Sequence, residues 1–177
     1  MNDMVSCSST YIHKKEAPKA VRCKIMTVSD TRDLDSDKSG QLMEQLLTAA
    51  GHEVVSREVV KDEVEQIQRA VLEGCRHSEV DCVLTNGGTG IAKRDVTIEA
   101  LSALYEKEIP GFGELFRMLS YQEDIGSAAI LSRASAGVIF GTPVFSTPGS
   151  SGAVRLAMNK CIIPELGHIM HEIRKDR

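Results

Sequence analysis

The sequence predicts an α/β protein whose central sheet is mostly parallel, and three observations carry that prediction. Short apolar runs alternate along the chain with stretches of helical periodicity. The run Cys82-Val83-Leu84 has no polar face, as expected for a strand covered on both sides of a parallel sheet. That run stops at Asn86-Gly87-Gly88-Thr89-Gly90, and a helical pattern resumes near Thr97. Glycines at 87, 88 and 90 permit positive φ and let a ligand approach the main chain closely. In an open α/β sheet the ligand crevice lies beyond the carboxyl ends of the strands, where successive backbone N–H groups make an anion-binding nest. The stretch from Asp81 to Thr97 therefore reads as a phosphate holder with Asp95 at its edge.

Residues 1–20 show no periodicity and are expected to form a flexible arm, leaving residues 21–177 as a single domain. The first strand is expected from Cys23 to Val28, followed by the charged turn Ser29-Asp30-Thr31-Arg32. Ser29 can donate a hydrogen bond there, and Asp30 can accept one from a ribose or an amine. Asp33, Asp35 and Asp37 alternate as in a calcium loop. The glycine and closing glutamate are misplaced for one, so a solvated loop with helix caps is the better reading. A helix from about Ser39 to Ala50 carries Leu42, Met43, Leu46 and Leu47 on one stripe, with Gly51 placed to end it. The second strand is read from His52 to Val60. Asp62 and Glu65 then have the spacing of a capping box ahead of Val64, Ile67 and Val71.

After Asp95, a helix face is marked by Ile98, Leu101 and Leu104, and Ile109 to Gly113 reads as a break. A second short helix carries Leu115, Phe116 and Leu119. Arg133, beyond it, can clamp an anion in bidentate fashion. Val138 to Phe140 and Val144 to Ser146 read as two strands joined by a tight turn. The second runs into Thr147-Pro148-Gly149-Ser150-Ser151-Gly152 and a helix, another strand–turn–helix unit suited to a second phosphate or oxyanion. Pro164 should bend or restart the last helix. His168 and His171 lie three apart, but no third metal ligand accompanies them.

The totals exclude several function classes. The chain has 177 residues and a formal net charge of -4 without a cluster of Lys and Arg, so a nucleic-acid footprint is not expected. Aromatic residues make up 4% and Trp is absent, which disfavours base stacking. No apolar run approaches membrane length. Five scattered cysteines without C-x-x-C spacing argue against a disulfide framework or a zinc site and for a reducing cytoplasm. The glycine loop lacks the Lys-Ser/Thr end of a P-loop and the glycine spacing of a dinucleotide fingerprint. Two anion-holding turns with carboxylates beside them suggest a divalent cation and phosphoryl or nucleotidyl transfer.

Thr85-Asn86-Gly87-Gly88-Thr89-Gly90 together with Arg94-Asp95-Val96-Thr97 resembles the signature of the molybdopterin-binding family of molybdenum cofactor biosynthesis. Thr27-Val28-Ser29-Asp30, Pro110-Gly111-Phe112-Gly113-Glu114, Leu131-Ser132-Arg133 and Thr147-Pro148-Gly149 support the match. Pro148-Gly149-Ser150-Ser151-Gly152-Ala153 is similar to the protein B branch. The dedicated adenylyltransferases usually carry Pro-Gly-x-Pro there, and this chain departs from that at Ser151. The resemblance implies a three-layer α/β/α sandwich and Mg²⁺- and ATP-dependent adenylylation of molybdopterin, giving adenylyl-molybdopterin and pyrophosphate. A non-catalytic molybdopterin-binding role is the alternative. It further implies that Asp62 and Asp95 are the essential carboxylates and hold Mg²⁺. Thr85, Gly87, Gly88, Thr89 and Gly90 would cradle phosphate, and Ser29 and Asp30 would line the nucleotide side. Arg133 would contact substrate, while Pro148, Gly149, Ser150 and Ser151 would close the site. Family members assemble as trimers or hexamers, so a homotrimer or homohexamer is expected.

Overall fold

Side-chain alternation along the strands puts apolar groups on both faces of one sheet. The structure, a computed structural model, describes residues 20–175, so all but the last residue of the expected N-terminal arm lies outside them. The strands are β1 (Arg22–Val28), β2 (Glu53–Val60), β3 (Cys82–Asn86), β4 (Lys107–Glu108), β5 (Ser135–Ile139) and β6 (Thr142–Thr147). Their order is β2-β1-β3-β6-β5-β4. The first four in that order run parallel, and β5 and β4 close the edge antiparallel. On β1, Cys23 and Ile25 enter one core while Met26 and Val28 enter the other. On β3, Cys82 and Leu84 oppose Val83 in the same way. Adjacent positions of a strand point to opposite faces, so each strand divides its apolar residues between two layers of helices.

The first layer holds α1 (Lys38–Ala49), α4 (Pro110–Glu123), α5 (Ser151–Ala157) and α6 (Ile163–Arg174). The second holds α2 (Val64–Arg76) and α3 (Thr97–Ser102). Phe116 and Phe145 are completely or almost completely buried in the first core, and Phe112 meets Phe145 edge-to-face at 5.2 Å. Each such ring contributes about 3 kcal/mol by burial. The chain is therefore a three-layer α/β/α sandwich on a mixed, mostly parallel sheet, as its sequence predicts.

Local departures from the sequence reading have identifiable causes. Pro110 does not break a helix but starts one: it occupies the first turn of α4, where its missing N–H has no intrahelical acceptor to serve. The capping box at Asp62 does not form. Glu63 takes the cap position of α2 with no side-chain bond, and the Asp62 N–H, which Glu65 would have bonded in a capping box, donates to Asp30 Oδ1 at 3.2 Å. The turn between β5 and β6 is Phe140-Gly141, both at positive φ. Ahead of Pro164 the helix widens to a π turn, Met158–Ile162, and α6 restarts with that proline in its first turn.

Asp37 belongs to no solvated loop. It is fully buried, caps α1 by accepting from Gly40 N at 2.9 Å, and accepts from Thr27 Oγ1 at 2.8 Å and Arg57 Nη1 at 3.2 Å. Asp37→Ala removes a cap and leaves the mostly buried Arg57 without this partner. Chemical denaturation of that variant is expected to show a loss of about 3 kcal/mol; a loss near zero would contradict this account of the network.

Candidate functional site

The connections set where a ligand can enter. β1 leads into α1 of the first layer and on to β2 on one side, whereas β3, on the other side of β1, leads into α3 of the second layer, so the two helices lie on opposite faces of the sheet. The loops after β1 and β3 consequently diverge, opening the crevice that doubly wound sheets form at their switch point. A cleft of about 560 Å³ lies there. Its walls include the turn after β1 (Ser29, Asp30, Thr31, Arg32), Asp62 after β2, Gly87 to Gly90 after β3, and Pro148 to Ser150 after β6. All four parallel strands thus deliver their carboxyl-end loops to one place.

The glycine loop is held by three hydrogen bonds to Thr147 and Thr97. Gly87 N donates to Thr147 O at 3.0 Å, Thr97 N donates to Gly88 O at 3.0 Å, and Thr97 Oγ1 donates to Gly87 O at 2.9 Å. Gly87 and Gly88 have φ of 90° and 64°. A Cβ on Gly149 would stand 3.1 Å from Gly87 Cα, so the two glycine-bearing turns pack directly against each other.

Asp62 and Asp95 flank this loop within one shared cleft. A Cβ on Gly88 would lie 2.7 Å from Asp62 Oδ1, and one on Gly90 would lie 2.5 Å from Asp95 Oδ2. Asp95 also accepts from Ala92 N at 2.9 Å, which orients its carboxylate. Burial pushes the Asp62 carboxyl above its ordinary range, and repulsion from Asp30 and Asp95 adds to the rise. Asp30 behaves oppositely. Arg94 grips it with Nη2 at 2.7 Å and Nε at 3.0 Å, holding it below its ordinary range, and the Asp62 N–H bonds it as well. Asp30 is therefore a strut joining the first turn, the start of α2 and the Arg-Asp-Val-Thr segment.

Other sequence-predicted residues lie away from the cleft wall. Thr85 is buried inside β3, and its carbonyl accepts from Thr147 Oγ1 at 3.4 Å. Ser151 is the exposed first residue of α5, whereas Ser150 faces the cleft and caps the helix by accepting from Ala153 N at 3.2 Å. Arg133 turns its fork to Glu99 and to main-chain carbonyls of the glycine segment.

The structure adds residues that the sequence reading left out. Ile125, with Ala128 and Leu131 of the 3-10 segment Gly126–Leu131, forms an apolar wall backed by the buried Phe116 and Ala153. Asp124 stands beside the start of α5, with Oδ2 3.4 Å from where a Gly152 Cβ would be. Ser132 lines the cleft with its Oγ buried and without a hydrogen-bond partner. Arg32 donates to Ser39 Oγ at 2.7 Å and is the one basic side chain on the wall among the described residues, against four aspartates: Asp30, Asp62, Asp95 and Asp124. An anionic ligand entering this cleft needs a counter-cation. Among the described residues no three His, Cys, Asp or Glu side chains form a complete metal cage. The carboxylates of Asp62 and Asp95 on one cleft wall are of the donor type that would suit Mg²⁺, which keeps its waters and takes one or two carboxylates plus substrate phosphates.

Sheet order, switch-point cleft and glycine loop define a three-layer α/β protein of the kind that binds its ligand at strand carboxyl ends. Residues 24–168 match the family described as "Probable molybdopterin binding domain", and the chain belongs to that family. It is 67% identical over 169 residues to molybdenum cofactor biosynthesis protein B of Bacillus subtilis, covering 96% of this chain and 99% of that protein. A crystal structure of a molybdenum cofactor biosynthesis protein B shares 68% identity and superposes with a TM-score of 0.88, covering 90% of this chain and 99% of the other. The tungsten cofactor synthesizing protein MoaB from Pyrococcus furiosus shares 40% identity at a TM-score of 0.80, covering 89% and 99%.

Proposed function

We propose that this chain acts in molybdenum cofactor biosynthesis by adenylylating molybdopterin with ATP and Mg²⁺, in the cytoplasm. The observation that carries the reading is the placement of Asp62 and Asp95 on either side of the glycine loop, in a cleft with a surplus of carboxylates. A bound Mg²⁺ would neutralise the triphosphate there. Ser29 and Arg32 lie on the wall where phosphates or ribose would be met, and Gly88 to Gly90 bring main chain to the ligand's phosphate. The exposed apolar side chains of Ile125 and Leu131 on the cleft wall offer a face for a flat ring. In the reaction a terminal phosphate oxygen of molybdopterin attacks the α-phosphorus of ATP and pyrophosphate leaves. The nucleophile is already anionic, so the chain's task is positioning and charge neutralisation rather than strong base catalysis. Incubation with molybdopterin, ATP and Mg²⁺ tests the reading. Adenylyl-molybdopterin and pyrophosphate should form in equal amounts, and binding of molybdopterin without any product would replace the enzyme by a carrier.

The same reading includes a homotrimer or homohexamer. Supporting it, Met118, Tyr121 and Ile130 line one shallow apolar depression where α4 meets the 3-10 segment, with Ile130 84% exposed. Leu115 and Ile125 on the same stretch of chain are also exposed. Apolar area of this kind is costly to leave in water. Sedimentation of the wild type should give a mass of three or six chains, and Ile130→Glu should shift it toward the monomer. A monomeric wild type would remove the proposal. No helix among the described residues is long and apolar enough to cross a membrane.

A further inference from the structure

We propose that Arg133 is a positioning residue: it clamps the main chain that presents Gly90 and Asp95 to the cleft, and it does not touch the ligand. Its Nε donates to Thr89 O at 3.2 Å and one Nη donates to Asp95 O at 3.0 Å. The remaining donors form a two-point pair with Glu99 of α3, which lies one turn beyond Asp95. The guanidinium is planar and its donors are fixed, so three partners at once define its orientation. A peptide group is planar and trans, so its N–H points opposite to its carbonyl. Holding Thr89 O on the Arg133 side therefore aims the following Gly90 N–H to the other side. Gly90 lines the cleft and Arg133 does not. Holding Asp95 O likewise anchors the peptide after Asp95, while the Ala92 N–H holds the Asp95 carboxylate itself at 2.9 Å.

The alternative is that the pair only stabilises the fold. Arg133 is 29% exposed and Glu99 54% exposed, and ion pairs at such positions contribute little to stability. What the arrangement does provide is geometry at two atoms next to the proposed metal and phosphate sites. The inference deepens the adenylylation reading, but one of its tests does not depend on it.

The experiment compares Arg133→Ala, Arg133→Lys and Glu99→Gln with wild type in two measurements. The first is hydrogen exchange of the peptide covering residues 87–96, with a β1 peptide as internal control. Arg133→Ala should speed exchange of the loop peptide on the order of 10-fold while the β1 peptide is unchanged. Glu99→Gln should give a smaller increase, and Arg133→Lys should not restore protection, because an ammonium cannot serve both carbonyls and Glu99. The second is the kinetic split. Arg133→Ala should lower kcat on the order of 10- to 100-fold with KM for ATP and molybdopterin within about 3-fold, the signature of misplaced groups rather than a lost ligand contact. Unchanged loop exchange, or a raised KM at unchanged kcat, would overturn the proposal. Should wild type show no adenylylation, that reading fails by itself, and the exchange measurement still decides the role of Arg133.

Discussion

Asp62→Asn and Asp95→Asn should each cut adenylylation of molybdopterin about 10³-fold or more, with molybdopterin binding retained. Asparagine keeps the shape of the side chain and removes only the charge. In Asp95→Asn the side-chain amide would still offer an oxygen to Ala92 N, so the loop should stay in place. The loss then reports on what the carboxylates do electrically. Both abut the glycine loop, at Gly88 and Gly90, and the proposed Mg²⁺ would sit between them and the triphosphate. Groups of this kind stabilise charge that develops during transfer, and their removal is felt in turnover more than in ground-state binding. Single-turnover assays with saturating ATP, beside titration of molybdopterin alone, separate the two effects. Variants that turn over like wild type would end the carboxylate assignment, and variants that lose binding first would make the aspartates ligand contacts.

Asp62 also carries a stability cost that can be measured without substrate. Asp62 titrates above its ordinary range because of burial, with further contributions from Asp30 and Asp95. Its folded state therefore holds a proton more tightly than the unfolded state does. Ionising it opposes folding: that cost is absent below the unfolded value of about 3.9 and fully present above the raised folded value. At neutral pH, Asp62→Asn should accordingly raise the Tm of the metal-free protein while abolishing turnover, and the difference should shrink as pH falls through the acid range. A variant less stable than wild type at neutral pH would show that Asp62 serves the fold first.

The framework and the central loop were legible because they rest on local chemistry. The strand read as Cys23 to Val28 forms as Arg22–Val28, and the helix read from Ser39 to Ala50 forms as Lys38–Ala49, with Gly51 at φ 84° beyond it. Both follow from periodicity and a glycine stop. Asp62 shows where local rules end. Its capping-box spacing is real, but Asp30, 32 residues earlier, captures its N–H, and no window of sequence contains that competition. The apolar wall of the cleft was illegible for a similar reason. Gly126–Leu131 is a 3-10 segment whose side chains Ile130 and Leu131 stay exposed, so it lacks the buried stripe that would mark it. Arg133 could be read only as a charge of unknown direction; Glu99 and two carbonyls on another segment give it one. Strand β4 has two residues, both exposed, and leaves no pattern to find.

Gly87→Ala should lower stability by about 4 kcal/mol, or about 8–16 °C in Tm. Its φ of 90° lies where side-chain-bearing residues rarely go. Its Cβ would also stand 2.3 Å from the carbonyl oxygen of Val28, at the carboxyl end of β1. That atom is main chain and cannot swing aside without parting β1 from β3. Retreat in the other direction is blocked too, because Gly87 N is bonded to Thr147 O and Gly87 O accepts from Thr97 Oγ1. Two neighbours separate the contributions. Gly51 has a similar φ, 84°, with no atom within 4 Å of a Cβ. Gly51→Ala should therefore cost about 1 kcal/mol, the conformational part alone. At Gly88 the φ is 64°, close to the left-handed well, and the Cβ would meet the ends of two side chains, Thr97 Oγ1 at 2.2 Å and Asp62 Oδ1 at 2.7 Å. Gly88→Ala should fold but displace Asp62, so its loss appears in turnover. Thermal melts of the three variants, run beside the adenylylation assay, test the ranking. A Gly87→Ala melt no lower than that of Gly51→Ala would show that the loop yields at β1, and the close fit between the glycine turn and the sheet edge would then not be what shapes the cleft.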